Sequence, residues 1–244
     1  MTQIGAMRVL EDEAFLRRAA RGSFAILGVA LLLILAWLAI GSAIPGFPRL
    51  ELERALGGWG ARLMGVRAVS AWAVAGWWIA LLFGCAASFV LHEVVHGLFF
   101  ERFLPAGHAV SYGIDFKMGI MYASAEGVRF ERDRYVAVLI APTIVITLAV
   151  VAIGIGFGWP LWTLATAAIH LSGCTGDWGY IRAIHADRRI AYCEDTSWGV
   201  AFFADDGALS SGHGVQPSCA KGFKVIDGGL SGADGPRTRE NEDR

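Results

Sequence analysis

Residues 81–100 read LLFGCAASFVLHEVVHGLFF, and this stretch decides how the rest of the chain is interpreted. It closes an apolar segment that runs from Val69 to about Phe100, longer than the roughly 20 residues that a membrane-spanning helix needs. His92 and His96 are four residues apart, so on a helix they lie one turn apart on the same face. The segment therefore predicts a membrane helix with two imidazoles that can reach one metal ion.

The residues around these histidines indicate the kind of chemistry. His92-Glu93-Val94-Val95-His96 is an H-E-x-x-H pattern, which on a helix provides two zinc ligands and a carboxylate that acts on water. Catalytic zinc has three protein ligands and an open position, so a third ligand must come from another element. We predict His92, His96 and Asp177 as ligands of Zn²⁺ and Glu93 as the catalytic base.

Asp177 is chosen because it closes the last apolar segment, in Ser172-Gly173-Cys174-Thr175-Gly176-Asp177-Trp178. A carboxylate near hydrocarbon is costly without a partner, and the two glycines before it allow a second helix to approach. His170 is the alternative third ligand. In a continuous helix it lies about 10 Å deeper than Asp177, so both cannot bind one ion, and we assign it to a hydrogen bond or to orienting a ligand.

Composition sets the fold class. Of 244 residues, 55% are hydrophobic and 18% charged, well below the quarter that is usual in soluble domains, and the net charge of -1 gives no reason to expect nucleic acid as a partner. We predict an all-α membrane bundle of about four transmembrane helices with a small cytoplasmic β-hairpin between the second and third. The four predicted helices cover residues 23–44, 69–100, 135–157 and 159–185.

The predicted domains follow from these helices. Residues 1–22 form a cytoplasmic N-terminal segment, residues 23–190 a membrane-embedded domain, and residues 191–244 a Gly-, Ser- and Asp-rich cytoplasmic tail that is largely disordered. Apolar residues alternate with polar ones and glycines from Val110 to Tyr122, which predicts the hairpin. Its edge either pairs with an extended substrate or merely covers the helix ends.

Arginines and lysines set the expected orientation. They flank the first helix on its N-terminal side, follow the second and the fourth, and are missing between the third and fourth; four arginines between the first two helices are discordant. We expect a multi-pass protein of the cytoplasmic (inner) membrane with both termini in the cytoplasm. The expected partners are the lipid bilayer and a membrane-protein or membrane-proximal peptide substrate. The four cysteines lack metal-type spacing and are expected to be free thiols.

From about Leu81 to Trp198 the chain resembles the putative zincin peptidases, a family of membrane proteins, which are related to the site-2 proteases. The resemblance is carried by the H-E-x-x-H element, the hairpin leading to Met121-Tyr122-Ala123, Ala141-Pro142, the segment around Asp177, and a later echo at Glu194-Asp195-Thr196-Ser197-Trp198-Gly199. It implies zinc dependence and a peptide-bond substrate. The Asn-Pro or Leu-Asp-Gly setting in which site-2 proteases commonly place their aspartate is missing around Asp177.

The leading hypothesis is a membrane-embedded zinc metallopeptidase that hydrolyses peptide bonds near the cytoplasmic membrane face. Three alternatives stay open at this point. The histidines and Asp177 could line a non-enzymatic metal or proton pathway, two histidines could bind haem, or the chain could be a catalytically silent scaffold.

Overall fold

The computed structural model describes residues 1–8, 12–43, 51–57, 69–115, 120–196 and 199–205. Five helices carry most of these residues, and residues 51–57 are also helical. The five are α1 (Glu13–Ala43), α2 (Ala71–Phe103), α3 (Arg132–Phe157), α4 (Pro160–Gly173) and α5 (Thr175–Ala186). Most of the predicted tail, residues 206–244, lies outside the described residues, as do residues 116–119 between the two strands of the hairpin.

The described chain is mostly helical, as predicted, but its six strands are four more than the predicted hairpin requires. β2 (Ser111–Asp115) and β3 (Ile120–Ser124) pair antiparallel between α2 and α3, with Ser111 opposite Ser124. A second, four-stranded sheet has the order β1-β6-β5-β4, formed by β1 (Thr2–Arg8), β4 (Arg129–Glu131), β5 (Tyr192–Thr196) and β6 (Gly199–Ala204). Three of its strands lie within residues 1–22 and 191–244, where we expected no sheet, and β4 directly precedes α3. Each strand is too short to be recognised alone and is stabilised by partners distant in sequence.

Two apolar clusters lie at opposite ends of the helices. One cluster joins the four-stranded sheet to the start of α1 and α3 and to the end of α2 and α5; it includes Phe15, Phe100, Tyr135, Ile184 and Phe202. The other joins residues 51–57 to the start of α2 and α4 and to the later part of α3, through Leu52, Trp77, Leu161 and Val150. The chain therefore passes four times between the sheet end and the far end of the bundle.

Three helices have the length and the apolar composition of a membrane span: Glu13–Ile40, Ala71–Phe103 and Arg132–Phe157, among the described residues. The expected fourth span, residues 159–185, differs from the prediction because it is divided into α4 and α5, of 14 and 12 residues. Either helix alone is shorter than a bilayer requires.

The division between α4 and α5 occurs at Cys174, which caps α4 and precedes α5. A helix break leaves carbonyl groups without partners inside the bundle. The Ser172 carbonyl oxygen accepts hydrogen bonds from the hydroxyl groups of Ser23 on α1, at 2.7 Å, and of Thr175, at 3.0 Å. The neighbouring helix thus satisfies the break, which makes two short helices tolerable where one long helix was expected.

Candidate metal centre

The three predicted ligands meet at one point between α2 and α5. His92 Nε2 lies 3.0 Å from His96 Nε2 and 3.2 Å from Asp177 Oδ2. His96 Nε2 lies 3.6 Å from the same carboxylate oxygen. The two imidazoles come from successive turns of α2, as their spacing predicted, and both are buried. The break at Cys174 brings Asp177 into the first turn of a separate helix, α5.

The geometry of these three atoms fits a zinc ion. Ligand atoms that surround one tetrahedral ion at about 2.0–2.1 Å lie about 3.3 Å from one another. The three observed separations, 3.0, 3.2 and 3.6 Å, are close to that value. Two imidazole nitrogens and one carboxylate oxygen also form a donor set that catalytic zinc accepts, with a fourth position left for water or substrate.

Backbone and side-chain contacts orient both imidazoles towards this point. His96 Nδ1 lies 3.0 Å from the carbonyl oxygen of Val138 on α3, and His92 Nδ1 lies 3.1 Å from His170 Nε2 on α4. Hydrogen bonds at Nδ1 keep Nε2 free to bind a cation, which is the usual arrangement behind histidine ligands. His170 therefore contacts a predicted ligand instead of replacing Asp177 at the point where the three atoms meet.

The position of Asp177 is fixed by the first turn of α5 and by contacts of its neighbours with α2 and α3. A carboxylate in the first turn of a helix is stabilised by the positive end of the helix dipole. The next residue, Trp178, donates a hydrogen bond from its indole nitrogen to Thr143 Oγ1 on α3, at 3.0 Å. Of the two glycines expected to allow close approach, Gly173 does so: a Cβ there would lie 2.7 Å from the ring of Phe89 on α2. Gly176 faces open space.

Glu93 lies on α2 between the two histidines and turns towards β3. Its Oε2 accepts a hydrogen bond from the backbone nitrogen of Ala123, at 3.0 Å. The small sheet thus positions the residue that was predicted to be the base.

Two residues near the centre had no assigned role in the sequence. Cys174 is fully buried, with its sulfur 3.8 Å from His92 Nδ1 and 3.7 Å from His170 Nε2. Asp195 on β5 accepts a hydrogen bond from the Tyr135 hydroxyl at 3.1 Å, and burial raises the pKa of Asp195 to about 6. The four-residue spacing from His170 to Cys174 was visible as a helical pair, whereas Asp195 had no local signal beyond its place in the echo motif.

One comparison with known protein families found a match in the part of the chain that contains this centre. The model of the putative zincin peptidase family matches residues 85–192. That part of the chain is similar to this family. No curated protein and no solved structure matches the chain.

The matched segment, residues 85–192, contains all four predicted site residues and every residue of α3, α4 and α5. It ends at the first residue of β5, so the echo motif around Asp195 lies beyond it. The family implies zinc, and the donor atoms of His92, His96 and Asp177 form one of two groups in the described residues that could hold a metal ion.

Proposed function

We propose that this protein is a membrane-embedded zinc metallopeptidase that hydrolyses peptide bonds near the cytoplasmic membrane face. The observation that carries the proposal is the convergence of His92, His96 and Asp177 within 3.6 Å of one another. The family match to a segment that contains these residues supports it. Three apolar helices with the length of membrane spans are compatible with a site embedded in a bilayer.

His92, His96 and Asp177 would hold the zinc ion, and a bound zinc ion supplies a Lewis acid that activates water and polarises a carbonyl group. Glu93 takes a proton from the attacking water and passes it to the leaving amine. The backbone nitrogen of Ala123 keeps the Glu93 side chain on the β3 side of α2. Val138 and His170 fix the two rings, so that neither imidazole has to reorient during turnover.

The surroundings of the site bear on the substrate. A helical substrate has to unwind before cleavage, because its hydrogen bonds shield each scissile carbonyl. β3 lies against α2 beside Glu93, so an unwound segment of a membrane protein, or a peptide next to the membrane, would meet extended backbone there. Glycine or proline near the cut would lower the cost of unwinding.

The geometry disfavours a haem bridged by the two motif histidines. Two axial nitrogens on opposite faces of one haem iron, each at about 2 Å, are separated by about 4 Å with the porphyrin between them. His92 and His96 offer nitrogens only 3.0 Å apart on the same helix. Only a peptidase should lose peptide cleavage when Glu93 is replaced. A metal or proton pathway and a silent scaffold have no cleavage to lose.

The deciding experiment is Glu93→Gln in purified protein reconstituted in lipid. The variant should keep its zinc, measured by metal analysis, because Glu93 is not a ligand. Cleavage of a library of membrane-segment peptides should fall by about 10²–10⁴-fold, the usual contribution of a general base. Glu101→Gln, two turns further along α2, is the matched control and should cleave at the wild-type rate. Normal cleavage by Glu93→Gln would exclude the assigned base, and wild-type protein that never cleaves would favour the scaffold.

A further inference from the structure

We infer that the chain has a second cation site, formed by His92 Nδ1, His170 Nε2 and Cys174 Sγ, which takes a soft, thiophilic cation in competition with zinc. His92 presents each ring nitrogen to a different set of ligands. Nε2 faces His96 and Asp177, and Nδ1 faces His170 and Cys174. The second set is the other of the two groups in the described residues that could hold a metal ion.

The separations in the second set fit one ion. The two nitrogens are 3.1 Å apart, and the sulfur lies 3.8 Å from His92 Nδ1 and 3.7 Å from His170 Nε2. Around a tetrahedral ion with nitrogen at about 2.0 Å and sulfur at about 2.3 Å, two nitrogens lie about 3.3 Å apart and nitrogen and sulfur about 3.5 Å apart. Shifts of a few tenths of an ångström would complete the site.

The environment selects for a soft cation. His170 and Cys174 are 0% exposed and His92 is 8% exposed, so the cluster is closed to bulk water. Thiolate with imidazole favours thiophilic ions such as monovalent copper or cadmium, whereas imidazole with carboxylate also accepts harder ions. His170 and Cys174 lie four residues apart at the end of α4, where Cys174 is the capping residue. Their side chains therefore reach His92 from one face of α4.

The two sites exclude each other because they share His92. A neutral imidazole has one proton and one free lone pair. A cation bound at Nε2 leaves the proton on Nδ1, where it can be donated to His170. A cation bound at Nδ1 moves the proton to Nε2, which then no longer binds zinc. Binding at the second site also releases the thiol proton of Cys174 to solvent.

This inference does not depend on the peptidase activity, although it would give such an activity an inhibitory site. The test uses cadmium and the metal-free 244-residue chain with Cys219 replaced by serine, because Cys219 is a further thiol that could bind cadmium. Cadmium should produce an ultraviolet thiolate-to-metal charge-transfer band that saturates at one cadmium per chain. Cys174→Ser should abolish the band, and Cys85→Ser, a change at a half-buried thiol two turns before His92, should keep it.

Two further measurements separate the sites. Asp177→Asn should lose zinc but keep the cadmium band, which also shows that the bundle is folded. In zinc-loaded protein, Cys174→Ser should need about tenfold more cadmium than wild type before zinc is released. A missing band in the parent protein, a band that survives in Cys174→Ser, or equal release of zinc from both proteins would overturn the second site. None of these results bears on Glu93 and cleavage.

Discussion

The function of single residues at this centre depends on which neighbour holds each ring nitrogen. His96 is oriented by a backbone carbonyl, which no side-chain substitution can remove, whereas His92 is oriented by another side chain, His170. Since His170 is fully buried, its own position is determined by packing and not by solvent. Mutation of the side chain that contacts Nδ1 should therefore affect zinc binding through His92, whereas no side-chain mutation can remove the contact at His96.

His170→Ala should lower zinc affinity about 10–100-fold, the usual cost of losing a hydrogen bond behind a ligand. The variant leaves His92 Nδ1 with only the weaker contact to the Cys174 sulfur, 3.8 Å away, so the ring is held less firmly. Competition with a chromophoric chelator measures the effect. His170→Gln is the control, since its amide oxygen can accept the same hydrogen bond and should restore part of the affinity. Unchanged zinc affinity in His170→Ala, with an unchanged melting temperature, would show that His170 does not orient His92.

Asp195 gives the fold a pH dependence of known sign. Burial raises its pKa to about 6, above the value of about 3.9 in an unfolded chain. The folded state therefore disfavours the charged carboxylate, and stability should fall as pH rises from about 4 through 6. Asp195→Asn keeps an oxygen for the Tyr135 hydroxyl and should remove this fall. Melting curves should show a higher melting temperature for Asp195→Asn than for wild type at pH 7.5 but not at pH 4. An equal difference in melting temperature at both pH values would contradict the raised pKa of Asp195.

The sequence predicted residues whose signal is local and missed those whose partners are remote. His92, Glu93 and His96 follow from a five-residue pattern, and Asp177 from the cost of an acid beside hydrocarbon. Nothing local pointed to Val138, because any residue can offer a backbone carbonyl.

At the scale of elements, α4 depends on a residue from outside the helix. The carboxylate of Glu51 accepts hydrogen bonds from the backbone nitrogens of Leu161, at 2.9 Å, and Trp162, at 2.7 Å, and from the Trp77 indole at 3.3 Å. The backbone nitrogens of Leu161 and Trp162 have no partner within α4, because they lie in its first turn. Glu51 thus serves as the N-terminal cap that α4 lacks at Trp159, and it ties residues 51–57 and α2 to that end.

Glu51→Ala should destabilise the protein by about 1–3 kcal/mol, because two buried backbone donors lose a charged acceptor. The loss should appear as a lower melting temperature in detergent. Glu51→Gln keeps one acceptor oxygen and should lose less. Glu53→Ala, in the same helical segment, is the control for general effects of removing a carboxylate there. If Glu51→Ala has the same melting temperature as wild type, the cap does not contribute to stability.

The break between α4 and α5 could not be predicted from periodicity. Residues 159–185 have the composition of one apolar helix followed by a polar turn, and the glycines at 173 and 176 are compatible with either outcome. The break depends on Ser23, which is distant in sequence and satisfies the Ser172 carbonyl oxygen. A tertiary contact of this kind overrides helix propensity, and the sequence of the broken segment contains no pattern that indicates it.

At the scale of the whole molecule, the four-stranded sheet links both ends of the described chain. β1 and β6 pair antiparallel, with Thr2 opposite Ala204. The sequence predicted about four helices and a hairpin but not the four-stranded sheet, because β1 pairs with a strand nearly 200 residues later. Long-range pairing of short strands is the feature that single-sequence patterns identify least well.

This pairing makes a prediction about membrane topology that holds whichever face the sheet occupies. Since Thr2 and Ala204 are strand neighbours, reporters fused before residue 1 and after residue 205 must lie on the same side of the membrane. The turn at Gly158, between α3 and α4 at the far end of the bundle, should lie on the opposite side. Arginines cluster at the sheet end, on the flanks of α1, α3 and α5, so that end should be cytoplasmic.

Paired reporters in a bacterial host test this topology: a fluorescent protein that matures in the cytoplasm and a phosphatase that is active only outside it. Fluorescence is expected at both termini, and phosphatase activity for an insertion at Gly158. Phosphatase activity at both termini with fluorescence at Gly158 would show that the sheet end lies outside the cytoplasm, and it would still be compatible with the β1–β6 pair. Termini on opposite sides would be incompatible with the β1–β6 pair, and α4 with α5 would then fail to return the chain across the bilayer.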